Sequence, residues 1–153
     1  MYSGAVIFPL LAASSELTAL VPSTKIFAVR VQQPTDIPYI VYREIATVPL
    51  NTKGDSTDVG ANPREKQRSI LDTLTVSVSI FSERYDKVES IAIAVRNALD
   101  RYHTTSSFSN RISVDSIVFE SAVDDYDEDY GDHGCYIKHL DFTIRLNRIL
   151  TNT

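Results

Sequence analysis

The chain has 153 residues, of which 43% are hydrophobic and 23% charged, with 20 acidic against 15 basic residues and a formal net charge of −5. These proportions exclude a disordered or fibrous class and predict one globular domain over residues 1–153. The acidity is local: Asp124, Asp125, Asp127, Glu128, Asp129 and Asp132 crowd one segment, and without those six the chain holds 14 acids against 15 bases, a net of +1.

The apolar run Ala5–Ala13 is interrupted by Pro9 and falls well short of the roughly 20 residues that span a bilayer. No basic stretch precedes it, so neither a membrane segment nor a secretory signal is expected, and a cytosolic setting is. Cys135 is the only cysteine, which rules out an internal disulfide and a four-thiolate zinc site. A tight nucleic-acid binder would carry a concentrated basic surface, and the sequence shows none.

In chain order, AVIFPLLAASSELTALV places Ile7, Leu10, Leu11, Leu17 and Leu20 near one helical face. Proline is tolerated in a first turn, so this helix is expected to begin close to Pro9. Lys25 to Gln32 reads as a strand, a turn follows at Pro34, and Tyr39 to Val48 reads as a second strand. Pro49 to Gln67 is long, polar and rich in turn residues, and a segment of this kind predicts a functional projection at the tip of a hairpin.

From Thr73 the pattern is sharpest. Leu74, Val76, Val78 and Ile80 alternate with Thr75, Ser77 and Ser79, the period of a half-buried strand. Tyr85, Val88, Ile91, Ala92, Val95, Leu99 and Tyr102 then follow helical spacing, with Ser82 as the expected N-cap and Glu83 and Asp86 at the positive end of the dipole. Ile112 to Ser121 reads as a strand bulged near Asp115, and Tyr136 to Leu150 as a closing strand. The order α-β-β-β-α-β-β predicts an α+β fold: one mostly antiparallel sheet with two helices on one face and polar projections at about 49–67 and 122–135.

The segment DDYDEDYGDHG invites a calcium reading. Counted from Asp125, Asp127 and Asp129 match EF-hand spacing, but Tyr130 stands where glycine is needed and Tyr136 where the bidentate glutamate belongs. A solvated, self-repelling hairpin loop fits better. His133, Cys135, His139 and Asp141 could share a strand face, in a spacing that matches no zinc signature. No GxSxG, HExxH, P-loop or GxGxxG occurs, and the sequence points to no enzyme and no cofactor.

The ordered combination of LTALV, the strand pair within IFAVRVQQPTDIPYIVYREI, the strand-helix SVSIFSERYDKVESIAIAVRNAL and the closing IVFESAVDDYDEDYG…CYIKHLDFTIRL resembles the small tail-completion or tail-terminator proteins of tailed phages and prophages. The resemblance runs from about Leu10 to Leu146. It implies a structural virion protein at the neck, assembled in the host cytoplasm. Such a protein forms a ring, commonly a hexamer, that ends the tail tube and docks the head connector. The implied partners are further copies of this chain, the tail tube protein, a connector or stopper protein, and a sheath protein if the tail contracts. DNA passes through the ring without specific binding. Candidate contact residues are Lys53, Asp55, Arg64, Lys66 and Arg68 in the long loop and Asp124, Asp125, Asp127, Glu128 and Asp129 in the acidic run. A connector or stopper protein of the neck is the alternative in the same setting, and a metal-binding module through Asp125, Asp127 and Asp129 the alternative from another class.

Overall fold

Five strands and three α-helices make an α+β fold in the computed structural model, which describes residues 2–50, 71–104 and 112–148. The elements are α1 (Ser3–Ala13), α2 (Ser15–Leu20), β1 (Ile26–Ala28), β2 (Tyr39–Pro49), β3 (Leu71–Ser82), α3 (Tyr85–Leu99), β4 (Ile112–Asp127) and β5 (Cys135–Arg148). They form one sheet in the order β1-β2-β3-β5-β4. The β1–β2 pair is parallel and every other pair is antiparallel.

The expected first helix is two helices. Ser14 adopts an extended conformation and its hydroxyl accepts the Leu17 amide, so it ends α1 and caps α2 in one step. Contrary to the expectation for proline, α1 begins at Ser3 and keeps Pro9 inside it, at the cost of one backbone hydrogen bond. Ser82 is not an N-cap either. It remains in β3, opposite Tyr136, buried with no hydrogen-bond partner for its hydroxyl, and Arg84 takes the cap position without a side-chain bond. The first strand is much shorter than Lys25–Gln32, because the backbone reverses at Val29.

The period-two reading of β3 holds. Leu74, Val76, Val78 and Ile80 are fully buried and face the helices, meeting Val88, Ile91, Ala92, Ala94, Val95 and Leu99 of α3 and Val6, Ile7, Leu11 and Leu17 of α1 and α2. From β5, Leu140, Phe142, Ile144 and Leu146 join them. Tyr85, placed by its spacing on the same stripe, is instead exposed.

In β4 the register shifts between Val114 and Ser116, where the bulge at Asp115 was expected, and a second time between Phe119 and Ser121. Each bulge inserts one unpaired residue and so restores the inward direction of the next apolar side chain. Val114, Ile117 and Phe119 thereby all reach the core side.

The opposite face of the sheet carries no described helix. Paired positions place Tyr39, Val41 and Arg43 of β2 beside Phe81, Ser79 and Ser77 of β3, and these beside Ile137, His139 and Asp141 of β5. The long segment between β2 and β3, with Lys53, Asp55, Arg64, Lys66 and Arg68, lies outside the described residues.

Candidate interaction surface

The acidic run is half strand and half turn. Asp124, Asp125 and Asp127 belong to β4 and pair with Lys138, Ile137 and Cys135, while Glu128, Asp129 and Asp132 sit in the turn that follows. Successive strand residues point to opposite faces, so the pleat separates the carboxylates that composition places together.

Asp124 points to the helix side. Its carboxylate lies 3.0 Å from Lys138 Nζ and accepts the Tyr85 hydroxyl at 3.1 Å. Lys138 also bonds Glu89 of α3, and its ammonium sits 5.8 Å from the Tyr85 ring centre. Burial alone would lower the Lys138 pKa, but the bonds from Glu89 and Asp124 outweigh it and raise the value above 10.5. The same Lys138 bond holds the Asp124 carboxyl below its ordinary 3.8. Tyr85 and Tyr126 both pack on Tyr136, with ring centres 5.9 and 4.9 Å apart. One buried lysine and three tyrosines thus pin the hairpin arm to the helix.

Asp125 points to the open face, where its Oδ2 lies 3.9 Å from His139 Nε2, while His139 Nδ1 lies 2.7 Å from Ser79 Oγ. This Ser–His–Asp line does not meet the needs of nucleophilic catalysis. At 3.9 Å the carboxylate is outside hydrogen-bond range and does not orient the imidazole. Asp127 Oδ1 is occupied by the Asp129 amide at 3.0 Å.

Among the described residues no three His, Cys, Asp or Glu side chains converge as metal ligands. Cys135 is buried, and burial pushes its thiol pKa up, which keeps it protonated. His133 is exposed in the turn, where its carbonyl accepts the Tyr126 hydroxyl at 3.0 Å, and Asp141 is bonded to Ser121 Oγ at 3.3 Å. Cys135, His139 and Asp141 do fall on one face of β5, but His133 lies in the turn and the four do not converge as ligands.

Gly134 closes the β4–β5 turn with φ +75°, and an added Cβ would collide with the Tyr126 hydroxyl and stand 3.0 Å from the Asp127 carbonyl. Gly134→Ala is therefore expected to lower stability by roughly 1–3 kcal/mol, from positive φ and loss of the Tyr126 seat together. Urea unfolding measures it, and an unchanged midpoint would refute this account of the turn.

At the other edge of the sheet, β1 stops after three residues because the chain turns at Val29. Val29 has φ +67° and the Arg30 amide bonds the Ala28 carbonyl at 2.7 Å, a three-residue γ-turn of the strained hand. Positive φ is unfavourable for a β-branched residue, and the reversal folds Val29, Arg30 and Val31 over the open face. Together with Tyr39, Val41, Arg43, Ser79, Phe81 and His139 they enclose a cavity of about 430 Å³. Two arginines line it, beside a stacked pair formed by Tyr39 and Phe81 at 4.7 Å. Sequence reasoning placed neither arginine in a site, because Arg30 and Arg43 are 13 positions apart and meet only through the turn.

The described residues make a helix-backed sheet whose other face carries no described helix, and they bring together no group of three metal-ligating side chains. The model of the family described as tail completion protein gp17 matches residues 5–145, and the chain belongs to that family. It is a structural protein of a phage-type tail, and it acts by assembling with other virion proteins. No curated protein matches the chain. Among solved structures, a chain described under "Virion of native gene transfer agent (GTA) particle" shares the fold, with a TM-score of 0.61 and 18% identity over 94% of this chain and 92% of that one. Among the described residues no helix is long and apolar enough to cross a membrane.

Proposed function

We propose that the protein ends the tail tube as a ring of identical subunits, commonly six, stops further tube growth and presents the surface on which a head connector docks. The observation that carries this reading is membership of the tail-completion family over residues 5–145. The architecture supports it. A ring is built from heterologous contacts that close on rotation, and such contacts require two different surfaces on each subunit. The two unlike edges of this sheet meet that requirement.

The Asn51–Gln67 segment contacts a neighbouring subunit or the tube on this reading, through Lys53, Asp55, Arg64 and Lys66, with Arg68 beside it. The acidic arm faces the DNA passage or a basic partner, and an acidic passage wall would let the genome slide, since backbone binding depends on cationic contacts. Only part of the arm serves this purpose, because Asp124 is held by Lys138.

The test adds purified protein to growing tubes and measures tube length and end density in electron micrographs, with the mass in solution from light scattering. Capped tubes of limited length are expected. Removing residues 52–66 should abolish ring formation or capping, and a deleted chain that still caps normally would rule out the role given to that segment.

A further inference from the structure

The ends of the sheet match each other rung by rung. Ile26, Phe27 and Ala28 of β1 align through β2, β3 and β5 with Asp124, Val123 and Ala122 of β4. β1 and the distal half of β4 thus stand at one height on opposite edges, roughly 19 Å apart at about 4.8 Å per strand. The proximal half of β4 is covered on its outer side, where Ile117 and Val114 carbonyls accept the Arg101 and Thr104 amides and Asp100 accepts the Phe119 amide. Residues 120–127 are all exposed, and no described strand lies outside them or outside β1.

Polarity and charge match as well. β1 runs parallel to β2, and β4 runs antiparallel to it by way of β5 and β3. A second copy set beside the first in the same orientation therefore brings β4 to β1 antiparallel, with helices against helices and open face against open face. Antiparallel pairing is the more stable kind. The β4 edge carries Glu120, Asp125 and Asp127, and the β1 edge carries Arg30 and Arg43 around the cavity made by the Val29 turn. Exposed apolar side chains sit on both, Val123 at 55% and Tyr126 at 45% on one, Val29 at 66% on the other.

We propose that the β4 edge, Glu120–Asp127, of one copy adds to the β1 edge of the next, seating Glu120 beside Arg43 and Asp125 toward Arg30 in the cavity over Tyr39, and continuing the sheet from subunit to subunit. Both edges are then paired, which removes the hazard that open edges pose. Unlike charges on the two edges fix the head-to-tail direction, because β4 against β4 would set acid against acid.

The inference rests on the ring reading, and reversed charges separate the two. Arg30→Glu with Arg43→Glu makes both edges of one chain acidic, and Glu120→Lys with Asp125→Lys makes both edges of another basic. Neither variant should assemble alone on tube ends, although each melts cooperatively as a folded monomer. Mixed in equal amounts they restore every contact in an alternating, even-numbered ring, so capping and ring mass should return. If each variant alone forms rings as the unaltered chain does, or if the mixture of folded variants remains monomeric, the edge pairing is overturned and the ring reading stands. If the unaltered chain forms no ring, alone or on tubes, the ring reading itself fails.

Discussion

Phe142→Ala is expected to lower stability by about 3–5 kcal/mol, the range for truncating a fully buried aromatic side chain. Phe142 lies near the middle of β5, with 0% exposure, and its ring meets Phe119 edge-on at 5.7 Å between centres. Its strand is flanked by β3 and β4 along its whole length, so the surrounding backbone cannot move inward to fill the space. Against a total stability of about 5–15 kcal/mol, the loss is large. At roughly 2–4 °C per kcal/mol for a chain of this length, the melting temperature should fall on the order of 10 °C. Calorimetry measures the shift, and a fall of only a degree or two would mean that Phe142 does not anchor the core.

Lys138→Met should change the shape of the stability curve against pH. Asp124 has a folded pKa below its ordinary 3.8, so its contribution is present above that value and disappears as pH falls through the lowered folded value. Lys138 has a folded pKa above 10.5, so its contribution is full below 10.5 and disappears as pH rises through the raised value. The contribution of this pair therefore has a plateau between the two, roughly pH 4 to 10. In the variant the plateau should drop while both limbs flatten, because Asp124 and Glu89 lose their shared partner. Melting temperatures across the pH range, run in parallel, check this. Curves offset by a constant at every pH would show that Lys138 matters through its packed stem and not its charge.

The strand-helix unit β3–α3 was legible in the sequence because two clear periods follow one another, and the core they predict, from Leu74 to Leu99, is the one that forms. The Asp115 bulge was legible for the same reason: an apolar alternation that slips by one marks an extra residue. The first half of the acidic run was misread. Aspartate is a poor strand former, and six acids in nine residues read as a solvated loop. Lys138 stands directly across from Asp124, and His139 faces Asp125 across the same two strands. Those cross-strand partners, each 14 residues downstream, override local propensity. The reach of the first strand was overestimated because an apolar run through Phe27, Val29 and Val31 contains no glycine to announce a reversal, and Val29 takes the turn regardless. Of the candidate contact residues, the structure sorts Asp124 to an internal clamp and Asp125 to the open face. The basic partners it adds, Arg30 and Arg43, are assembled by backbone geometry that composition does not encode.

The two bulges of β4 have a joint effect on those assignments. Each one advances the strand by a residue relative to β5, and a single residue of slip exchanges the faces of everything beyond it. Two slips cancel. Asp124 meets Lys138 only because both are present. Straightening the Asp115 bulge with every residue kept would set Asp124 opposite Ile137 on the open face and turn Asp125 toward the helices, dissolving the clamp and changing the outward charge without altering one acidic residue in the arm. Deleting Asp115, the unpaired residue, would instead leave Ser116 opposite Arg145 and the arm as it is. The arm beyond Phe119 therefore depends on each bulge absorbing one residue, and a single deletion preserves the surface only where it removes the residue that a bulge leaves unpaired.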